Sequence, residues 1–437
     1  MLKSVLPLSF IIATRFFGLF IVLPVLSVYA LELDKATPFL VGLLVGIYAL
    51  TQMILQVPFG ILSDKIGRKK TMLLGLLIFI IGSIICAEAK DIYIMLLGRA
   101  LQGAGAIGAV AVAMISDFIS EEKRSKAMAL MGAFIGLAFA SSLILAPLMS
   151  EKFGLSSLFY LSIALTLLCI VLLYTWVPKE SKIIQHDEKT PLKRFLIEKN
   201  FALMNLTNFS QKMLMSISFL LIPLVLTRFR LDLFDTYLYS MLAGFVAMGM
   251  AGALGEKRGL AKGILLLGVV FFAVAYFFFA CVPALGFLSW GRLVFILAVV
   301  LFFVGFNLHE PIMQSCASKF AKAGEKGAAL GVFNSFGYAG SFAGGVIGGF
   351  VLSERADWYF SLGLLVLVVF IALWFILLCF LKNPSEFKNI YLPLSQKLNT
   401  NELLGLKGIV EIYENTQHKV IKYDSKLIDE KEIQNKL

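Results

Sequence analysis

The sequence predicts an all-α membrane protein with twelve transmembrane helices in two six-helix halves, followed by a small α+β domain of βαββα order. Three observations carry this. Apolar runs long enough to span a bilayer recur twelve times, one long polar segment divides them six and six, and after Phe380 the chain turns polar with short alternating stretches. With 59% hydrophobic and 15% charged residues in 437, and a mean hydropathy of +0.87, the chain holds more apolar surface than a soluble core could bury.

The runs fall at 5–30, 38–63, 71–88, 92–116, 127–149, 156–177, 201–227, 236–254, 263–284, 289–315, 327–352 and 358–381. Each is about the 20 residues that a helix rising 1.5 Å per residue needs to cross roughly 30 Å of hydrocarbon. They are long and continuous, unlike the alternating ten-residue segments of a membrane barrel. The first begins directly after Lys3 and lacks a small-residue cleavage site, so it reads as a span and not a removable signal.

The net charge of +11 follows this topology. Lys65, Arg68, Lys69 and Lys70 crowd the connection 64–70, and basic residues gather likewise at 117–126, 178–200, 256–262 and 316–326. The opposite connections carry the singles Lys35, Lys90, Lys152 and Arg355 and the pair Arg228 and Arg230. By the positive-inside rule both termini are cytosolic, and the basic excess faces anionic lipid headgroups and not nucleic acid. Cys86, Cys169, Cys281, Cys316 and Cys379 lie in or at the ends of spans without CxxC spacing, so neither a disulfide framework nor a metal site is expected.

The segment 178–200 separates an N-terminal bundle, 1–177, from a C-terminal bundle, 201–381; a last domain occupies 387–437. "GILSDKIG" at 60–67 and "GALGEKRG" at 252–259 agree at Gly60/Gly252, Leu62/Leu254, Asp64/Glu256, Lys65/Lys257 and Gly67/Gly259. Each follows the second span of its half, which marks a duplicated six-span unit, an arrangement that places a binding site between the halves.

Charges well inside spans cost about 2.5–3.5 kcal/mol each on insertion scales, so their positions carry information. They are Arg15, Arg99, Lys212 and Glu310, with His309 beside the last, in spans 1, 4, 7 and 10. Every third span is charged, as nested three-span repeats would give if those helices faced one cavity. Gln102 shares a helical face with Arg99, and Asn208, Gln211, Asn307 and Gln314 add polarity to spans 7 and 10. Pro24 should loosen and bend span 1, and the glycines of spans 5 and 11 should permit close helix approach or flexing. "GAGAIG", Gly103 to Gly108, fits G-x-G-x-x-G, but inside an apolar span with no preceding strand it is no nucleotide site.

The connection "GILSDKIGRKK" holds an acid, Asp64, against the basic trend, which implies a specific partner: a helix N-terminus or an arginine. "GILSDKIGRK" resembles the major facilitator superfamily at every fixed position of its loop signature, G-x-L-x-D-x-x-G-R-[KR]. "LLGRALQGAG" (96–105) is similar to that family's fourth-span motif, and "FGLFIVLPVL" (17–26) to the first-span motif of its twelve-span drug/proton antiporters. The fifth-span antiporter signature is poorly matched, with Ala146-Pro147 where Gly-Pro is usual. "GRALQGAGAI", "LFFVGFNLHE" and the tail "GIVEIYENTQHKVIKYDSK" further resemble a group of bacterial inner-membrane members that end in a cytosolic ferredoxin-like domain. That resemblance implies that Asp64 sits against the N-terminus of span 11 and couples to Arg68 and Asp117. With Gly60 and Gly67, these residues would form a conformational latch that locks the outward-open state.

In the tail, "FKNIYLP" (387–393), "IVEIYE" (409–414) and "HKVIKYD" (418–424) read as strands, with "ENTQ" as a turn. "SQKLNTNELLG" and "DEKEIQNKL" read as helices. The tail has no cysteine and one histidine, His418, which argues against metal ligation. A regulatory or self-associating module is expected.

Together these features imply a transporter of the bacterial inner membrane and not an enzyme, since the spans hold no nucleophile triad, carboxylate pair or metal-ligand set. The expected function is proton-coupled export of small amphipathic compounds, without a cofactor, by rocking of the two bundles. Glu310 is the candidate proton carrier, with Arg15, Arg99, Gln102, Gln211, Lys212 and His309 around the cavity. A sensor that signals through the tail and a proton-coupled uptake carrier remain alternatives.

Overall fold

The computed structural model describes residues 2–118, 121–178, 193–257, 259–285, 289–322, 325–353, 357–396, 398–414 and 418–436. Twelve of its helical segments are long and apolar enough to cross a membrane. Span 1 is built from α1 (Leu2–Phe20) and α2 (Leu23–Ala30), spans 2 and 3 from α3 (Pro38–Ile66) and α4 (Arg68–Ala87), and span 4 from α5 (Ile92–Ala104) and α6 (Gly108–Phe118). Spans 5 and 6 are α7 (Glu121–Phe153) and α8 (Leu155–Thr175). After a short α9 (Lys193–Ile197), spans 7 to 12 are α10 (Lys199–Phe229), α11 (Leu233–Lys257), α12 (Ala261–Leu285), α13 (Ser289–Phe320), α14 (Lys326–Ser353) and α15 (Asp357–Cys379).

Helix limits follow local chemistry. Thr37 caps α3 by accepting from Leu40 N at 3.2 Å, with Pro38 at the first helical position, and Asp91 caps α5 through Tyr93 N at 2.8 Å. The duplicated glycines end their helices alike: Gly67 has φ +100° and Gly259 φ +68°, where a side chain would be strained. Span 1 breaks after Phe20 because Pro24 has no N–H for that carbonyl and its ring crowds it. The break in span 4 was not foreseen. There Ala106 N turns to Ala104 O at 2.8 Å and Ile107 N to Gly105 O at 2.9 Å, so the regular i→i−4 ladder is interrupted at 105–107.

The linker differs from its expected form at one end. Residues 193–197 are helical, and Phe195 is buried edge-on against Phe201, 4.9 Å between centroids, while Arg194 bonds Glu325 at 2.8 Å. The linker thus joins the C-terminal bundle before span 7 begins.

Contacts between the halves concentrate at one end, opposite the basic loops. Span 2 lies on span 11 there, with Phe39 and Phe350 4.8 Å apart, and a Cβ on Gly345 would fall 2.5 Å from the Gly42 carbonyl oxygen. Ser27 Oγ donates to Phe219 O and the Tyr237 hydroxyl to Pro24 O, both at 3.4 Å. Toward the basic end, a Cβ on Gly60, Gly252 or Gly331 would meet no heavy atom within 4 Å among the described residues. The glycines of span 11 therefore serve close approach, as expected: Gly340 and Gly344 lie on the span 7 backbone at Phe209 and Met213. Those of span 5 do not, since Gly132 and Gly136 also face open space.

The tail folds as β1 (Phe387–Pro393), α16 (Thr400–Leu404), β2 (Ile409–Glu414), β3 (His418–Asp424) and α17 (Glu430–Gln434). The sheet is antiparallel in the order β1-β3-β2, consistent with a ferredoxin-like domain. Both helices are shorter than the expected segments; residues 415–417 of the expected turn lie outside the described residues. Ile390, Leu403, Ile421, Tyr423, Ile428 and Ile433 form its core. The domain sits on the C-terminal bundle. Buried Lys422 donates to Ala321 O at 2.6 Å, just past the end of α13, Phe387 stacks edge-on against Phe320, and Asn383 Nδ2 donates to Gly259 O at 3.1 Å. A cation at a helix C-terminus answers both its open carbonyls and its dipole.

Lys422→Met should therefore loosen the docking by about 2 kcal/mol, the scale of a hydrogen bond from a charged group. Faster amide exchange at Phe320 to Lys322 and along β1 is the expected readout; exchange equal to the parent chain would refute the role.

Candidate functional site between the two bundles

In the N-terminal bundle the site is organised by Arg15. Its guanidinium donates to the Tyr48 hydroxyl, to Gln52 Oε1 at 3.2 Å, and to the carbonyls of Gln102 and Gly105, both at 3.0 Å. The break in span 4 leaves the Gln102 carbonyl without its helical partner, and Arg15 takes that place. Phe79 lies under the guanidinium, 4.4 Å from ring centroid to Cζ.

Arg99 is fully buried and donates to Gln102 Oε1 at 2.8 Å; the same amide donates to Ser83 Oγ at 2.8 Å. Its Cζ stands 4.9 Å from the Tyr48 ring and that of Arg15 stands 5.2 Å from it, so the two cations are at most about 10 Å apart. At an effective dielectric constant near 20 that separation costs roughly 2 kcal/mol of repulsion. No carboxylate lies within 4.0 Å of either among the described residues. Arg15 Nε and Arg99 Nε and Nη2 have no hydrogen-bond partner.

The C-terminal bundle is arranged differently. Lys212 of span 7 is ion-paired with Glu310 of span 10, the lysine a quarter and the glutamate about a third exposed. Lys212 also lies over Phe306, at 5.0 Å. Gln211 is buried and donates to Phe306 O at 3.4 Å, linking spans 7 and 10.

His309 requires a correction. It was expected at the cavity beside Glu310, but successive helix positions point about 100° apart, and His309 faces spans 9 and 12. Its Nε2 lies 2.8 Å from Leu265 O, and its ring sits edge-on to Phe272 and Trp374. It is a fully buried packing residue between those spans.

At the loop, Arg68 Nη1 bonds Asp64 and Ser63 Oγ, each at 2.5 Å, and Ser63 Oγ in turn donates to Gly60 O at 2.7 Å. Arg68 is buried, whereas the Asp64 side chain is 47% exposed, which a carboxylate clamped between two bundles would not be. Gly60 and Gly67 frame this turn. The Asp117 side chain lies outside the described residues.

The two halves meet over Arg15 in a cavity of about 10 Å³, room for roughly one water molecule, lined by Tyr48, Gln52, Phe16, Ile107 and, from span 11, Tyr338. Tyr338 belongs to span 11, so both halves contribute to this lining. A search for charges alone missed Tyr48, Gln52 and Tyr338. A signal existed: Tyr48 and Gln52 are four apart on one face of an otherwise apolar helix.

Two six-helix bundles with charged inner helices, packed on each other at the end opposite the basic loops, have the architecture of a membrane carrier. The family model for the Major Facilitator Superfamily matches residues 8–345, and the chain belongs to that superfamily. It is a multi-pass membrane transporter, not an enzyme. The inner membrane transport protein YajR of Escherichia coli (strain K12) is 31% identical over 98% of this chain and 95% of its own length. The class B tetracycline resistance protein of Escherichia coli is 27% identical over 82% of this chain and 91% of its own. Among solved structures, the nucleoside transporter NupG superposes with a TM-score of 0.68 over 87% of this chain and 99% of its own, at 14% identity, a likeness of fold alone.

The close seating of span 4 yields a paired test. A Cβ on Gly103 would overlap Thr51 and the Tyr48 carbonyl, whereas one on Gly108 would come no nearer than 3.9 Å to Gln52. Gly103→Ala should destabilise the purified protein by about 1–3 kcal/mol, and Gly108→Ala should be neutral or stabilising. Equal melting temperatures for the two variants would refute this packing.

Proposed function

We propose that the chain is a proton-coupled exporter of small amphipathic compounds in the bacterial inner membrane, working by rocking of the two bundles. The observation that carries this reading is the Lys212–Glu310 pair. Glu310 is the acid placed well inside a span, it is neutralised by one partner on another span, and it keeps partial access to water. A proton arriving at Glu310 removes the ion-pair attraction between spans 7 and 10 and leaves Lys212 charged without this partner. A signalling protein would have no need of a titratable pair at membrane depth, which favours transport over the sensor reading. The similarity to a tetracycline resistance protein supports drug-like compounds as cargo, and that to YajR supports the inner membrane.

With the basic loops cytosolic, contacts at the opposite end correspond to an inward-facing state. Exposure of Asp64 and open space at Gly60 fit a latch released in that state. Asp64 and Arg68, with Asp117, would re-form a clasp when the cytosolic ends close.

Two measurements test this. In proteoliposomes, Glu310→Gln should abolish substrate-driven proton movement while the folded protein is retained; coupling equal to the parent would overturn the proton assignment. Asp64→Asn should shift the population toward the inward-facing state, raising modification of cysteines placed near Gly331 and lowering it near Phe39. Unchanged labelling at both ends would sink the latch role.

A further inference from the structure

We infer that the Arg15 side of the inter-half cavity receives the anionic group of an amphipathic organic acid, so the cargo class is a lipophilic carboxylate. The inference rests on the transporter reading and narrows its substrate.

Charge pairing is the ground. Six charged side chains among the described residues are buried: Arg15, Arg68, Arg99, Glu386, Lys422 and Asp424. Four have an opposite charge within 4.0 Å, respectively Asp64 for Arg68, Lys426 for Glu386, Glu411 for Lys422 and Lys382 for Asp424. Arg15 and Arg99 are the exceptions, and both flank Tyr48. Every acceptor around them is neutral: a phenol, two amide oxygens and two backbone carbonyls. Neutral acceptors satisfy hydrogen bonds but leave two positive charges uncompensated in a low-dielectric interior. The Lys212–Glu310 pair is self-neutralised and does not offset them.

Of the two cations, Arg15 lines the cavity, and fully buried Arg99 adds to its field from behind Tyr48. Guanidinium presents a planar fork that matches a carboxylate, and the Arg15 Nε has no partner. Ile12, Phe16 and Ile107 give the cavity an apolar wall, and since it has room for roughly one water as it stands, a hydrophobic body enters only where the halves part further. Tyr338 lines the cavity from the other half, so an anion taken by the unpartnered Arg15 Nε, with the carbonyl bonds of Arg15 kept, would touch both bundles at once. An amine in the same place would face two fixed cations.

Three isosteres decide the matter on the full chain in detergent near neutral pH: naphthoate, naphthamide and naphthylmethylammonium, with sodium chloride as the inorganic control. Binding is read by thermal shift and titration calorimetry. Naphthoate alone should stabilise the parent, Arg15→Gln should weaken its binding about ten-fold or more, and Arg15→Lys less. Equal stabilisation by the amide, the amine or chloride overturns the inference, as does unaltered binding to Arg15→Gln or failure of naphthoate, octanoate and decanoate alike to bind. Should Arg15→Gln not fold, the isosteres on the parent chain decide by themselves. Carboxylate binding without proton-coupled flux would leave this inference standing and overturn only the coupling; coupled flux restricted to amines would do the reverse.

Discussion

A guanidinium held by main-chain carbonyls at a helix break is the interaction on which the N-terminal bundle depends. Breaking span 4 at 105–107 frees carbonyls that a continuous helix would use, and a buried arginine needs acceptors. Each feature alone would cost several kcal/mol in a membrane interior; together each supplies the partner the other lacks. The pairing constrains its neighbours. Gly103 lets span 4 reach the span 2 backbone, Gly105 lets it reach Gly75 of span 3, and Tyr48 and Gln52 complete the ring of acceptors around Arg15.

The C-terminal bundle meets the same demand by another route. Lys212 and Glu310 satisfy each other across two spans, while spans 7 and 11 close through backbone contact at Gly340 and Gly344. One bundle thus keeps fixed positive charge and the other a pair that one proton can dissolve. The surface joining the halves is largely glycine and aromatic ring, with few hydrogen bonds to break. Such a seam suits a carrier, because parting it leaves few polar groups without a partner.

Much of this was legible in the sequence, for identifiable reasons. Twelve spans were readable because hydrocarbon thickness sets their length, and all three tail strands because alternation and turn residues bounded them. The bend at Pro24 follows from its missing N–H. Arg15, Arg99, Lys212 and Glu310 stood out because charge in an apolar run is expensive. The failures share a cause: spacing tells which face a residue occupies only once neighbours are known. His309 stands beside Glu310 in sequence yet faces spans 9 and 12, and a Cβ on Gly132 or Gly136 of span 5 would meet no heavy atom within 4 Å among the described residues. The break at 105–107 was hidden in glycines read as a rejected nucleotide loop and as part of the fourth-span motif, although glycines within a span can also mark a helix interrupted for a partner.

The tail fits this mechanical division. Lys422, Phe387 and Asn383 attach it to the ends of spans 9 and 10, and Lys382 pairs with Asp424 between span 12 and β3. All of these anchors belong to the C-terminal bundle, so in the rocking proposed above the domain would move with that bundle. Span 10 carries Glu310 ten residues before its end at Phe320, and Lys422 engages Ala321 just beyond that end. On that proposal, a change in the seating of β3 would be felt first at the end of the helix that bears the candidate proton carrier.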